Sequence, residues 1–193
     1  SGFASGRSSS GTVMDSAISQ TVQACCDMSA SKTGALIIFE RGVALNSIIS
    51  TGTVINADTT VELLKNMFFN KAPLHDGAVI IRDGRIAAAG CVLPLTQRTN
   101  LSKDLGMRHR AGIGLSEESD AVIIVVSEET GAISAAMDGM LKRHLSGEAL
   151  DKLLRSELIR EEDSTEKHGL IDNIRNFFKV NANVDEKQDE ENL

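Results

Sequence analysis

The chain has 193 residues, of which 41% are hydrophobic and 24% charged, and this is typical of one globular domain with its own core. A formal net charge of −7 at pH 7 argues against a nucleic-acid partner, and no run of 18 apolar residues is available to span a membrane. With no Trp, no Tyr and six Phe, the core is expected to be aliphatic.

The two ends of the chain differ in composition from its middle. Residues 1–12 are small and polar, and we expect them to be a linker introduced for expression, outside the fold. One domain is expected over residues 13–160, followed by an acidic, flexible tail over residues 161–193. An apolar patch in the tail fits either a short helix or a contact for a partner or membrane: Leu170, Ile171, Ile174, Phe177 and Phe178.

The first half of the domain shows one helix and one buried strand. Apolar residues at i, i+4 and i+7 predict a helix over residues 13–28. The run ALIIF predicts a buried strand over residues 35–39, and the glycine-punctuated residues 42–58 are predicted to be irregular.

Two local signals organise the middle of the domain. Thr59 and Glu62 have the spacing of a capping box and open a predicted helix with the sequence VELLKNMFF. Asp83-Gly84 between two apolar runs predicts a β-hairpin, whose second strand ends before Pro94.

The second half repeats the alternation of strand and helix. The stretch LGMRHRAGIGLSEESD is predicted to be a loop leading into a short helix, and a buried strand begins at Ala121. Thr130-Gly131 turns the chain into a hairpin partner, and Ser146 caps an amphipathic helix that begins at Gly147.

This alternation of helices and hairpins predicts the fold class. We expect a single α/β (α+β) domain with a mixed, largely antiparallel central β-sheet covered by helices. The three cysteines, Cys25, Cys26 and Cys91, have no metal-ligand spacing, and we expect free thiols that pack in the core.

The sequence His75-Asp76-Gly77 directly precedes a run of apolar β-formers. A carboxylate beside an imidazole can bind a divalent cation or move a proton, and the glycine allows a ligand to approach the backbone. A purely structural turn fits these three residues equally well.

Arg108-His109-Arg110 is a compact basic triplet in an acidic chain. Arginine pairs bind polyphosphates bidentately, although a solvated basic turn paired with Glu117 or Glu118 is the simpler interpretation.

Ser127-Glu128-Glu129 follows the second buried strand. Acidic groups at the end of a strand can hold a cation, and a polar turn is again the simpler alternative. Together the three stretches supply the parts of a nucleotidyl-transfer site, while the sequence has no P-loop, no GxGxxG and no GxSxG motif.

Residues 15–160 closely resemble the catalytic domain of bacterial diadenylate cyclases. The resemblance lies in LHDGAVII, IAAAGCVLPL and LGMRHRAGIGLSEESDAVIIVVSEETGAIS, which contain the DGA and RHR motifs of that family. SKTGALIIFER is similar to the membrane-anchored subclass in particular. The resemblance implies condensation of two ATP molecules into cyclic di-AMP, with release of two pyrophosphates and with Mg²⁺ or Mn²⁺ as cofactor.

The resemblance also implies roles for the residues around the DGA motif. Asp76 would activate the ribose 3′-hydroxyl near the metal, and His75 would ligate that metal. Gly77 and Ala78 would lie against the nucleotide, and Leu93 would contact the adenine.

The basic triplet would be the second catalytic element. The resemblance implies that Arg108, His109 and Arg110 hold the triphosphate. Met107 stands where the family commonly has Thr, so a hydroxyl contact to phosphate is replaced by a thioether at this nucleotide-binding position.

The acidic stretch would complete the site. Ser127 would contact phosphate, and the two glutamates would serve the nucleotide and metal region, with Glu128 assigned to the nucleotide and Glu129 to the metal. Strand alternation would place only one of them in the site.

The two equivalent halves of the product favour two identical subunits face to face, so we expect a catalytic homodimer. The resemblance implies a cytoplasmic domain anchored in the membrane by N-terminal segments, with a YbbR-type regulator and a phosphoglucosamine mutase as partners. The alternatives are a non-catalytic nucleotide-binding module and an interaction module whose tail recruits partners.

Overall fold

The computed structural model of the protein describes residues 7–159, so the predictions for residues 161–193 lie outside the described part. The elements in chain order are α1 (Arg7–Ala30), β1 (Ala35–Phe39), α2 (Asn46–Ile49), β2 (Thr53–Asp58), α3 (Val61–Phe68), β3 (Ala78–Arg82), β4 (Arg85–Cys91), α4 (Met107–Glu118), β5 (Val122–Val126), β6 (Ile133–Met137), β7 (Met140–Lys142) and α5 (Gly147–Leu158). In this part of the chain, no helix combines the length and the apolar character needed to cross a bilayer.

The strands form one sheet in the order β2-β4-β3-β1-β5-β6-β7. Only β1 and β3 are paired in parallel, through Ile37 and Val79, and the other neighbouring pairs are antiparallel. The predicted α/β fold with a mixed, largely antiparallel sheet is therefore confirmed.

The central strands are buried on both faces, because helices cover each side of the sheet. Ile37 and Phe39 point to the face covered by α1, α3 and α5. Leu36 and Ile38 point to the opposite face, which α4 covers. This alternation explains why β1 and β5 are continuous apolar runs rather than alternating ones.

Pairing with β3 and β5 brings four strand ends to one edge of the sheet. β1 and β3 both begin there, since they are parallel. β5 ends there because Val126 pairs with Ala35, and β4 ends there because Cys91 pairs with Ala78. The loops at this edge carry two of the polar stretches that the sequence singled out, residues 75–77 before β3 and residues 127–129 after β5.

Two edge strands and the start of α1 differ from the predictions. β2 lies within the segment predicted to be irregular and β7 has only three residues; both are edge strands without an apolar alternation. Helix α1 begins at Arg7 rather than at residue 13, because extending a formed helix requires little further stabilisation.

The basic triplet lies in the first turn of α4, not in a loop before it, because the helix is capped at Gly106. Thr60, not Thr59, caps α3 by accepting a hydrogen bond from the Leu63 amide. The buried Thr59 hydroxyl instead donates to the carbonyl of Gly84.

The predicted hairpin is confirmed. Asp83 and Gly84 have φ values of 52° and 75°, as a type I′ turn requires. The three cysteines are free; Cys25 and Cys91 are buried and Cys26 is half-buried.

Glu40 fixes the chain at the opposite edge of the sheet. Its side chain is 8% exposed and accepts two hydrogen bonds from Arg82, at 2.6 and 2.7 Å, and one from the Leu45 amide at 2.8 Å. Burial raises the pKa of the Glu40 carboxyl, but these bonds and the Arg82 charge outweigh burial and hold the pKa below its ordinary value.

We predict that Glu40→Gln lowers the free energy of unfolding by about 1–3 kcal/mol at pH 7, since it removes a charge-assisted bidentate pair. A lowered folded-state pKa means that the ionised carboxylate stabilises the fold above its unfolded pKa of about 4.3 and loses this effect as the pH falls through the folded value. The difference between wild type and variant, measured by urea unfolding, should therefore shrink below about pH 4.

Asp58→Asn is the matched control, because Asp58 is 82% exposed in its ion pair with Arg85 and should change stability by less than about 0.5 kcal/mol. Equal losses in both variants, or a Glu40→Gln difference that grows in acid, would contradict this role.

Candidate active site

Arg108 is the point where the polar loops at this edge of the sheet meet. Its Nη1 lies 3.1 Å from Oε2 of Glu128, which follows β5. Its Nη2 donates a long hydrogen bond of 3.5 Å to the carbonyl of His75, which precedes β3. The structure therefore brings the basic triplet to the residue next to Asp76 and to the acidic stretch.

The guanidinium of Arg108 lies directly over Gly34, the residue before β1. A Cβ at this glycine would be 2.7 Å from Nη1 and 2.9 Å from Cζ of Arg108. Any larger residue here would displace the guanidinium. Gly34 was not among the predicted site residues, although its place before a buried strand was visible in the sequence.

The Nε of Arg108 is buried and has no hydrogen-bond partner among the described residues. Unpartnered buried donors are uncommon in folded proteins and are disfavoured, particularly on charged groups. An anion bound beside Arg108 would satisfy this donor.

The first turn of α4 carries an unusual charge for its position. Gly106 offers no side-chain cap, and the turn contains Arg108, His109 and Arg110 but no acidic residue. Cations are disfavoured at the positive end of a helix, whereas anions are bound there by free backbone N–H groups. This arrangement of positive charges is therefore more favourable with a bound anion than without one.

The two neighbours of Arg108 in the triplet have different environments. His109 is buried, and burial followed by the positive charge of Arg143 lowers its pKa, while Asp104 opposes this effect. This lowered pKa favours the neutral form of the imidazole. Arg110 is half-buried, and its guanidinium forms no hydrogen bond or ion pair within residues 7–159.

The other residues predicted to bind the nucleotide differ in how exposed their side chains are. Met107 is 64% exposed at the start of α4. The Ala78 side chain is fully buried, so only its backbone can face a ligand. Leu93 is 8% exposed and packs into the core beneath α4, which limits its contact with an adenine to its edge or backbone.

The loop over residues 75–77, which contains the DGA motif and is called the DGA loop here, leaves Asp76 exposed and holds the ring of His75 by a hydrogen bond. Asp76 is exposed and has no bonded partner in the described part of the chain. Nδ1 of His75 lies 2.7 Å from the carbonyl of Ala72, and because a carbonyl only accepts, Nδ1 carries the proton. In the neutral ring, Nε2 is therefore the unprotonated nitrogen, as a metal ligand requires.

Gly77 has a structural reason for lacking a side chain. Its φ is 120°, and a Cβ would lie 2.7 Å from the Gly90 carbonyl carbon and 2.9 Å from the Cys91 oxygen. The close approach of the DGA loop to β4 thus requires glycine even without a nucleotide.

The acidic stretch forms a turn rather than a continuation of the strand. β5 ends at Val126, and Oγ of Ser127 accepts from the amides of Glu129 and Thr130 at 3.3 and 3.2 Å. The Ser127 hydroxyl proton remains available to a ligand. Glu128 contacts Arg108, whereas the exposed Glu129 side chain contacts no polar group in the described part.

A metal site is not preassembled from protein groups alone. Within residues 7–159, no cluster of three His, Cys, Asp or Glu side chains could hold a metal ion. His75, Asp76 and Glu129 therefore do not form a ready three-ligand cage. Mg²⁺ nevertheless binds commonly through one or two carboxylates and substrate phosphates, and the exposed Asp76 fits that mode.

Asp104 and Arg143 also border the triplet and were not predicted. They form an ion pair at 2.5 Å that ties the loop before α4 to the end of β7. Their sequence separation and the irregular loop around Asp104 left no local signal for this contact.

Comparison with known proteins places the chain in a family. A family model described as DisA bacterial checkpoint controller nucleotide-binding, DAC, matches residues 22–141. The chain is 45% identical over 154 residues to the cyclic di-AMP synthase CdaA of Bacillus subtilis, and 53% identical over 114 residues to the diadenylate cyclase CdaS of Bacillus thuringiensis. These alignments cover 78% and 59% of this chain, but 56% and 57% of the two relatives, so the chain spans little more than half of their length.

The fold agrees with a solved structure. The crystal structure of a double mutant of DacA from Staphylococcus aureus matches with a TM-score of 0.73 and 43% identity, covering 75% of this chain and 97% of that one. Because the family model covers more than half of the residues, including the DGA loop and the basic triplet, the chain belongs to the DAC family of nucleotide-binding domains.

Proposed function

We propose that this chain is a diadenylate cyclase that condenses two ATP molecules into cyclic di-AMP. The observation that carries the proposal is Arg108, a fixed guanidinium with a buried, unpartnered Nε at the start of a helix and next to the DGA loop. Relatives named diadenylate cyclase or cyclic di-AMP synthase, at 45–53% identity, support the same reaction.

Each half of the reaction joins a ribose 3′-oxygen to an α-phosphorus. The oxygen attacks phosphorus, the bond to the bridging oxygen breaks, and pyrophosphate leaves with that electron pair. The hydroxyl proton passes to Asp76, whose carboxylate is exposed and unpaired in the described part of the chain. The same transfer at the second ATP closes the ring.

Charge neutralisation and positioning supply most of the catalysis in such a transfer. Arg108 and Arg110 would bind the triphosphate, with the free amides of α4 and the Ser127 hydroxyl as further donors. The lowered pKa of His109 favours the neutral imidazole, which would hydrogen-bond or pack rather than add charge.

A divalent cation, Mg²⁺ or Mn²⁺, belongs to the proposal. Nε2 of His75 and the carboxylate of Asp76 would hold it together with phosphate oxygens, and Glu129 stays a predicted contributor. When bound, the ion supplies positive charge against the phosphates.

The second ATP must come from another active site, because one chain presents one copy of the loops. We propose an isologous homodimer in which two subunits face each other across the two nucleotides.

We also propose that the natural protein is anchored in the membrane and carries this domain in the cytoplasm. The crystal structure of a hypothetical membrane-spanning protein from Bacillus cereus, 48% identical with a TM-score of 0.64, supports anchoring. The YbbR-type regulator and phosphoglucosamine mutase stay predictions.

We predict that wild type with ATP and Mn²⁺ forms cyclic di-AMP, and that Asp76→Asn lowers kcat by about 10²–10⁴-fold, since it removes the proton acceptor. Mass spectrometry of the product gives the rate. Calorimetry with 3′-deoxyATP, which cannot cyclise, gives the binding constant.

Binding without product in wild type would identify a non-catalytic nucleotide-binding module. Full activity in Asp76→Asn would show that another group takes the proton.

We predict that activity per subunit rises in proportion to protein concentration in the dilute range, because two subunits must meet for each product molecule. Initial rates measured beside light scattering test this dependence. A constant specific activity for a confirmed monomer would contradict the dimeric site.

A further inference from the structure

We infer that Glu128 is an internal counter-charge for Arg108: in the empty site its carboxylate pairs with the guanidinium whose charge the triphosphate uses. Its charge then weakens nucleotide binding and promotes the release of pyrophosphate. The inference rests on the proposed function and concerns how the same site fills and empties.

The contacts of Arg108 single out Glu128. The 3.1 Å pair to Nη1 is the only ion pair of Arg108 within the described residues, and the 3.5 Å bond from Nη2 to the His75 carbonyl is weak. Nε has no partner in this part of the chain. The edge formed by Nε and Nη2 is therefore open to bidentate binding of a phosphate, which would lie beside the Glu128 carboxylate on Nη1; binding through Nη1 and Nη2 instead would require Glu128 to move.

Exposure shows which partner of the pair can move. The Arg108 side chain is 20% exposed, whereas that of Glu128 is 61% exposed. The pair lies over Gly34, where a Cβ would be 2.7 Å from Nη1 of Arg108 and 3.2 Å from Cβ of Glu128. Gly34 thus leaves room for the pair, and the exposed Glu128 side chain is free to swing outward into solvent.

The charge of Glu128 acts on the phosphate whichever edge of the guanidinium the phosphate binds. A carboxylate within 3.1 Å of the guanidinium repels an arriving triphosphate and partly cancels the charge that attracts it. After transfer, the same carboxylate repels the pyrophosphate bound to Arg108. Glu128 thus holds Arg108 in place between turnovers and limits how tightly either anion binds.

Glu128→Gln tests the inference, because the amide keeps the size of the side chain and can still accept a hydrogen bond from Arg108 without the charge. Calorimetry with pyrophosphate, and with 3′-deoxyATP and Mg²⁺, should show Kd values lowered about three- to fivefold for both, the range expected for a partly exposed ion pair. In the cyclase assay, KM for ATP should fall without a rise in kcat, and pyrophosphate should inhibit more strongly by the same factor.

Glu118→Gln is the matched control. Glu118 is exposed at the end of α4 and forms no hydrogen bond or ion pair within residues 7–159, so its loss changes the net charge without touching Arg108. Its Kd values should stay within about 1.5-fold of wild type, because distant exposed charges are screened.

Unchanged or weaker binding of both anions by Glu128→Gln, with an unaltered melting temperature, would overturn the inference while leaving the proposed function intact. A loss of kcat without tighter binding would also overturn it and would place Glu128 in the chemistry. Failure of wild type to bind either anion would instead remove the proposed function and this inference together.

Discussion

The structure depends on the position of one guanidinium. Arg108 contacts the turn after β5 through Glu128 and the loop before β3 through the His75 carbonyl, and it rests on the residue before β1. These three segments are far apart in sequence, yet the Arg108 side chain contacts all of them. Its unpartnered Nε shows that the protein alone does not satisfy the arrangement, which is the expected state of a site built for an anion.

The sheet topology makes this convergence possible. The parallel pairing of β1 with β3, beside the antiparallel β5, brings two strand starts and one strand end to the same edge. α4 covers this region of the sheet closely, since a Cβ at Gly112 would lie 3.1 Å from Ile123. Gly34 leaves room for Arg108 and Glu128, and Gly77 allows its loop to approach β4, so the same small residues serve the fold and the site.

Sequence reasoning predicted most of the fold because its main signals are local. β1 and the Asp83-Gly84 hairpin followed from apolar runs and turn chemistry. The edge strand β2, in contrast, pairs only with β4, which is distant in sequence, and β7 pairs with the adjacent β6 but is only three residues long. The motifs indicated the chemistry of the site, but not that α4 begins at the triplet, that His109 is buried or that Glu128 pairs with Arg108. Those features arise from tertiary packing, which spacing alone does not report.

The central claim is that Arg108 binds the phosphates of a nucleotide, and a binding cycle tests it most directly. Kd values for 3′-deoxyATP and for adenosine would be measured by calorimetry with wild type and with Arg108→Met. The account predicts that the substitution weakens 3′-deoxyATP binding by at least about tenfold, as expected for a charge-assisted contact, and leaves adenosine binding unchanged. An equal effect on both ligands, or none on either, would contradict it.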